Sequence, residues 1–327
     1  MDSLDIKRKP FIDQLQPGMI EEGYFLLKKI HLNIGKKNKP FLRIILSDKT
    51  GYLPAVYFDS LKNLQKIQDE CKEGDIVNIS GILEEYNEIL QIKLIKISRE
   101  NRKDWELSVF SKRTPHDRRE LLKELKIYLN KINNTDLKKL CLSFLNDKEF
   151  LKTFLDSPAS RFYHYAYIGG LLEHTLNVVK LVDSYSRIYP QADKNLLLTG
   201  AFLHDFGKLD EYEYIQYNIE YSRDSRLKGR TLLGYERVKP FIDKYIKEPT
   251  IKIKLEHIMI SNKGQKRWGA ISEPKFLEAF LIHSADLTDT SQFIFSESRK
   301  DFKAKPGTGS EYAGNYISIM DKEIYIG

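Results

Sequence analysis

The hydrophobic pattern of the chain is that of strands in its first third and of helices beyond it. Glu21 to Ile34, Pro40 to Ser47 and Tyr52 to Phe58 read as strands, with Asp48-Lys49-Thr50-Gly51 as the turn between the second and third. Ser60 to Cys71 carries Leu61, Leu64 and Ile67 at helical spacing, and after Gly74 two further strands follow, Ile76 to Leu83 and Ile89 to Ile97. Three strands, a helix and two strands is the order of an OB barrel, predicted over residues 18–100 behind a basic arm, 1–17, that ends in Gln16-Pro17-Gly18.

A polar, basic linker, 101–115, precedes a change of period. Asp117 to Ile132, Thr135 to Leu145 and Lys148 to Leu155 are helical, with Leu121, Leu122, Leu125 and Leu129 recurring at three and four residues. Helices resume from Thr231 to Tyr245 and from Thr250 to Met259, after a stretch with Tyr212, Tyr214, Tyr217 and Tyr221 that suggests a hairpin. The predicted fold class is multi-domain α+β: an N-terminal five-stranded OB β-barrel, then an all-α helical bundle over 116–327. The segment from Phe293 to Gly327, closing on strand-like Glu323-Ile324-Tyr325-Ile326, fits packing inside one subunit or between two of a homo-oligomer.

With 41% hydrophobic and 30% charged residues among 327, the chain can fold two cores and is not disordered. It has no run of about 18 apolar residues, and Cys71 and Cys141 lack metal-binding spacing, so the expectation is a cytoplasmic protein with no membrane segment, disulfide framework or zinc finger. A net charge of +7 favours a polyanionic partner. On the barrel, Phe41, Arg43, Tyr52, Tyr57 and Phe58, with Lys36, Lys37 and Lys39 in the adjoining loop, are candidates to stack bases and hold phosphates. Core packing competes for each, because half of a barrel strand faces inward. The loop from Ser261 to Gly269 adds Lys263, Lys266, Arg267 and Trp268 as candidate nucleic-acid contacts.

The candidate chemistry begins in Gly200-Ala201-Phe202-Leu203-His204-Asp205-Phe206-Gly207-Lys208, where an apolar helix runs into an imidazole and a carboxylate, with Gly207 expected as a left-handed cap. Such groups at the carbonyl end of a buried helix call for a cation. Alone, the pair better fits a hydrogen-bonded core histidine and a solvated helix-end acid, so other residues must decide. His174 lies beside an apolar helix face with Leu171 and Val178, and Asp286 sits inside an apolar helix where an unpaired acid is hard to tolerate. His174, His204, Asp205 and Asp286 form a mixed nitrogen and oxygen set suited to Mn, Fe, Co, Ni or Zn. Lys208 is near enough to offset charge on a phosphate.

The order H, HD, D on three helices resembles the HD superfamily of metal-dependent phosphohydrolases. With the barrel before it, the whole chain resembles the YhaM-type 3'-5' exoribonucleases, above all in the stretches Tyr163 to Thr175 and Gly200 to Lys208. The resemblance implies hydrolysis of single-stranded RNA, with single-stranded DNA as a further substrate, by metal-activated water, with Asp205 and Lys208 as catalytic residues and manganese as the metal. It also exposes departures. Tyr235, Asn262 and Lys263 stand where many relatives carry histidines, and only His257 remains as a further ligand. A phenol or amide is a poorer ligand than imidazole and a protonated lysine is none, so one ion is expected rather than two, with Lys263 as an electrostatic stand-in. Two rivals stay open: a nucleic-acid-binding protein with an inactive HD domain, and a single-metal phosphohydrolase of nucleotides or short oligonucleotides.

Overall fold

In the computed structural model, which describes residues 11–303 apart from 36–37, 87–88, 102–106, 111, 162–163 and 216–217, the first strand serves two partners. β1 (Gly18–Ile34) pairs along its second half with β2 (Pro40–Ser47), which pairs with β3 (Tyr52–Phe58). A helix, α1 (Leu61–Glu70), capped by the Ser60 side chain, leads to β4 (Ile76–Tyr86) and β5 (Ile89–Arg99). The first half of β1 pairs with β4, and the barrel closes in the order β1-β2-β3-β5-β4. Register shifts in β1 between Ile20 and Gly23 and between Leu27 and Lys29 let one strand bend between both neighbours. Gly81 sits at another shift, where a Cβ would meet the Lys93 carbonyl oxygen at 2.5 Å.

Leu27, Leu42, Ile44, Leu46, Val77 and Ile92 are buried inside the barrel, and Leu64 of α1 packs among them. The stretch expected as a free linker carries a short helix, α2 (Leu107–Phe110), whose Phe110 is buried against Leu26 and Ile76. A polar surrounding sequence hid that anchor. The expected basic loop residues Lys36 and Lys37 and the expected strand 323–326 lie outside the described residues.

The rest is helical: α3 (Arg118–Asn130), α4 (Thr135–Leu145), α5 (Lys148–Asp156), α6 (Gly170–Ile188), α7 (Lys194–Leu203) and the short α8 (Lys208–Glu211). Then come a two-stranded hairpin, β6 (Tyr212–Ile215) and β7 (Asn218–Tyr221), and α9 (Arg223–Lys228), α10 (Arg230–Tyr245), α11 (Pro249–Ser261) and α12 (Leu277–Lys303). Asp117, Asn134, Asp147 and Asp193 accept from the first free N–H groups of α3, α4, α5 and α7, which fixes where those helices start. The core runs through α7, which packs against α4, α6, α11 and α12. Two compact units result, Met1–Arg113 with Tyr214–Glu220, and Thr114–Glu213 with Tyr221–Gly327. No described helix is long and apolar enough to cross a membrane.

Candidate metal centre

Every residue of α7 from Leu196 to Leu203 is buried, so whatever follows the helix enters the interior. His204 caps it, its N–H bonded to the Gly200 carbonyl, and Asp205 follows. Beside α7, α6 contributes His174 and α12 contributes Asp286. His174 Nε2 lies 3.3 Å from His204 Nε2, 3.4 Å from Asp205 Oδ2 and 3.2 Å from Asp286 Oδ1. His204 Nε2 is 3.5 Å from that Asp205 oxygen and 3.9 Å from that Asp286 oxygen. Donors bound to one ion at about 2.1 Å stand roughly 3.0 to 3.4 Å apart along the edges of an octahedron or tetrahedron. Three of the five spacings fall in that range, a fourth is at 3.5 Å and the fifth is wider at 3.9 Å; the donor atoms all lie within 4.8 Å of one another, a set that could hold one cation, and among the described residues it is the one such group of three or more side chains.

The surrounding bonds turn the right atoms inward. His174 Nδ1 donates to Asp289 Oδ2 at 2.7 Å and His204 Nδ1 to the Ala201 carbonyl at 2.7 Å, which leaves both Nε2 atoms for a metal. Tyr165, held at a positive φ of 49°, donates its hydroxyl to Asp289 and accepts from Asn177, so the acid behind His174 is itself fixed. Gly170 opens α6 where a Cβ would overlap the Tyr165 carbonyl. Asp205 Oδ2 is buried and accepts no well-angled hydrogen bond; Lys208 Nζ stands 2.6 Å from it and both imidazole Nε2 atoms lie beside it, so a cation held among them would complete its surroundings.

Lysines crowd the acids. Lys263 Nζ donates to Asp205 Oδ1 at 2.6 Å and to Asp286 Oδ2 at 3.1 Å, and Lys208 Nζ reaches His164 Nε2 at 3.5 Å. Burial alone would raise both carboxyl pKa values; Lys208 and Lys263 beside Asp205, and Lys263 beside Asp286, outweigh it and hold both well below the ordinary range. Burial lowers the Lys208 ammonium against the pull of Asp205. It also opposes charge on His174, but Asp205, Asp286 and Asp289 prevail and raise it to about 10, whereas burial takes His204 down to about 4.

Gly207 does not act as the expected left-handed cap: its φ of −61° is helical. Glycine is required there for another reason, since a Cβ would overlap the Arg230 carbonyl at the start of α10. That approach brings Arg230 to a pocket it shares with His204, Asp205, Lys208, Asn262 and Lys263.

His257 is not brought to the cluster. It is half-buried on α11, accepts from the Lys275 N–H at 3.2 Å and packs on Phe276. Tyr235 packs against the hydrophobic core, and Asn262 donates its amide to the His204 carbonyl. Lys263, expected to contact nucleic acid, is buried on the two acids instead. Lys266 and Arg267 are exposed; Trp268 is 43% exposed, with the Arg267 guanidinium 5.2 Å from its ring centre and the His283 ring at 6.2 Å.

On the barrel, β3 alternates, with Tyr52, Val56 and Phe58 outward and Leu53, Ala55 and Tyr57 inward. Tyr57, expected as a base-stacking residue, thus packs against the barrel core. Phe41 and Phe58 pair across β2 and β3 and stack at 5.4 Å, and Arg43 is exposed in the same row as His31, Val56 and Lys93. Lys93, Asp289, Arg230 and His164 were missed by sequence reasoning. Asp289 alone had a usable signal, three positions after Asp286 on one helix face.

Two family models match the chain: an OB-fold nucleic acid binding domain over 26–99 and an HD domain over 171–291, which contains all four converging residues. The chain thus has an OB barrel followed by a helical domain that matches the HD model, and the HD domain implies a divalent metal. Its homologues along nearly the whole length are the YhaM 3'-5' exoribonucleases. Those of Listeria monocytogenes and Listeria welshimeri are each 28% identical, over 88% and 90% of this chain and 90% and 92% of their own. Among solved structures, the second OB-fold domain of replication protein A from Methanococcus maripaludis is 20% identical, covers 28% of this chain and 94% of its own, and has a TM-score of 0.23. The SSB domain of a Synechococcus sp. protein is 16% identical over 26% and 97%, with a TM-score of 0.23.

Proposed function

We propose that the protein is a cytoplasmic, metal-dependent exoribonuclease that shortens single-stranded RNA, and single-stranded DNA as a second substrate, from the 3' end. The observation that carries this reading is the buried meeting of two imidazoles and two carboxylates whose donor atoms all lie within 4.8 Å of one another. The name of its homologues supports the direction and the substrate. His174, His204, Asp205 and Asp286 would hold the ion, and their donor set favours manganese over magnesium. When bound, such an ion polarises a phosphate oxygen and lowers the pKa of a water. Asp289 and the Ala201 carbonyl orient the two imidazoles, and Lys208 and Arg230 present fixed positive charge to a phosphate in the pocket. The Phe41 and Phe58 stack, with Arg43 and Lys93, is the surface of the barrel suited to bases and phosphates.

The test is 5'-labelled single-stranded RNA with manganese: a ladder of shortened products supports the reading, and an intact band with every divalent metal ends it. Tight binding with no cleavage would establish the rival of an inactive HD domain, which the Lys263 contact to both acids favours. Release of mononucleotides from short substrates, unaffected by barrel substitutions, would establish the oligonucleotide phosphohydrolase.

A further inference from the structure

Both acids of the centre are divided between two directions. Asp205 turns Oδ2 towards His174, His204 and Lys208 and gives Oδ1 to Lys263; Asp286 turns Oδ1 towards the histidines and gives Oδ2 to the Lys263 ammonium. Two carboxylates arranged this way bridge two cations, of which one belongs among the imidazoles and the other is already present as Lys263 Nζ.

The lysine is built into that place. It follows the last residues of α11 in a turn closed by a hydrogen bond from Gly264 N–H to the Ser261 carbonyl. Gly264 has a φ of 74°, and a Cβ there would run into the His283 ring, whose Nδ1 donates to the Asn262 carbonyl. The turn is therefore pinned by glycine geometry and by α12, and Lys263 is 7% exposed. Of the neighbouring residues, Asn262 donates its amide to the His204 carbonyl and Tyr235 is half-buried against the core.

We propose that Lys263 is a tethered, non-dissociating cation in the position of a second metal ion, so that the centre is mononuclear and keeps its second positive charge covalently. The proposal rests on the reading of the four donors as a metal site. An ammonium carries one charge where a divalent ion carries two and coordinates no water, so it holds and neutralises the acids while leaving activation of water to the single ion.

The experiment is manganese stoichiometry on the full chain by elemental analysis, with the electron paramagnetic resonance of the bound ion, for wild type, Lys263→Ala and the combined Tyr235→His, Asn262→His, Lys263→His variant. Wild type should bind one manganese with an uncoupled six-line signal. Lys263→Ala, which removes positive charge from beside two ligands, should bind the first ion at least tenfold more tightly. The combined variant should approach two ions with a spin-coupled signal. Two coupled ions on wild type, or unchanged affinity and stoichiometry in a folded Lys263→Ala protein, would overturn the proposal. One uncoupled ion on wild type with no RNA cleavage would reject the exonuclease reading while upholding the role of Lys263, and the absence of bound manganese from both wild type and Lys263→Ala would reject both.

Discussion

Gly207 has no room for a methyl group, because the Arg230 carbonyl and the Gly234 N–H of α10 occupy the space where a Cβ would stand. Gly207→Ala must push α10 and the cluster apart, and it is expected to cost about 3 kcal/mol or more, read as a lower urea midpoint together with weaker manganese binding. Asp289→Asn should act more narrowly, loosening the orientation of His174 and lowering manganese affinity about 10- to 100-fold by calorimetry with an unchanged melting temperature. Cys141 supplies a pH effect. Burial pushes its thiol from 9.0 to about 12, so the unfolded chain loses the proton first, and the associated stability is present below pH 9 and lost as pH rises towards 12. Between pH 8 and 10 the wild type should lose about 1.4 kcal/mol more stability than Cys141→Ala in urea titrations. His174, His204, Asp205 and Asp286 were legible in the sequence because ionisable groups embedded in apolar helices need partners. His257 was misread because its direction depends on which side of α11 the core lies, and Arg230 was invisible because it arrives through the close approach at Gly207.

The strands and the helices given bounds were readable from period, with ends within a few residues of those expected. What the pattern left open was facing. Tyr57 and Phe58 are neighbours in sequence and equally aromatic, yet the two-residue repeat of β3 sends one inward and the other, 54% exposed, onto Phe41. In fluorescence anisotropy with single-stranded RNA, Phe58→Ala should weaken binding by about 1–3 kcal/mol, as the loss of a stacking platform does. Tyr57→Ala should instead lower the melting temperature with a smaller effect on affinity; the reverse order would refute this choice of face. The turn from Asn262 to Gly264 was likewise unreadable in advance, since its shape is set by His283 on a helix about twenty residues later.

For the whole molecule, the acids of the centre lie against Lys208 and Lys263, so the helical core draws charge balance from the chain itself. Treatment with a chelator is expected to stop hydrolysis while leaving the helical circular dichroism unchanged, and loss of that signal would contradict the account. The order of the ligands along the chain has a further effect. The barrel is spelled out within the first hundred residues, whereas Asp286 and Asp289 belong to α12, the last described helix. Domains tend to fold as they leave the ribosome, N-terminal first. In the proposed reading, a growing polypeptide can grasp a transcript well before it can cut one, and the message being translated is safe from its own product until α12 docks.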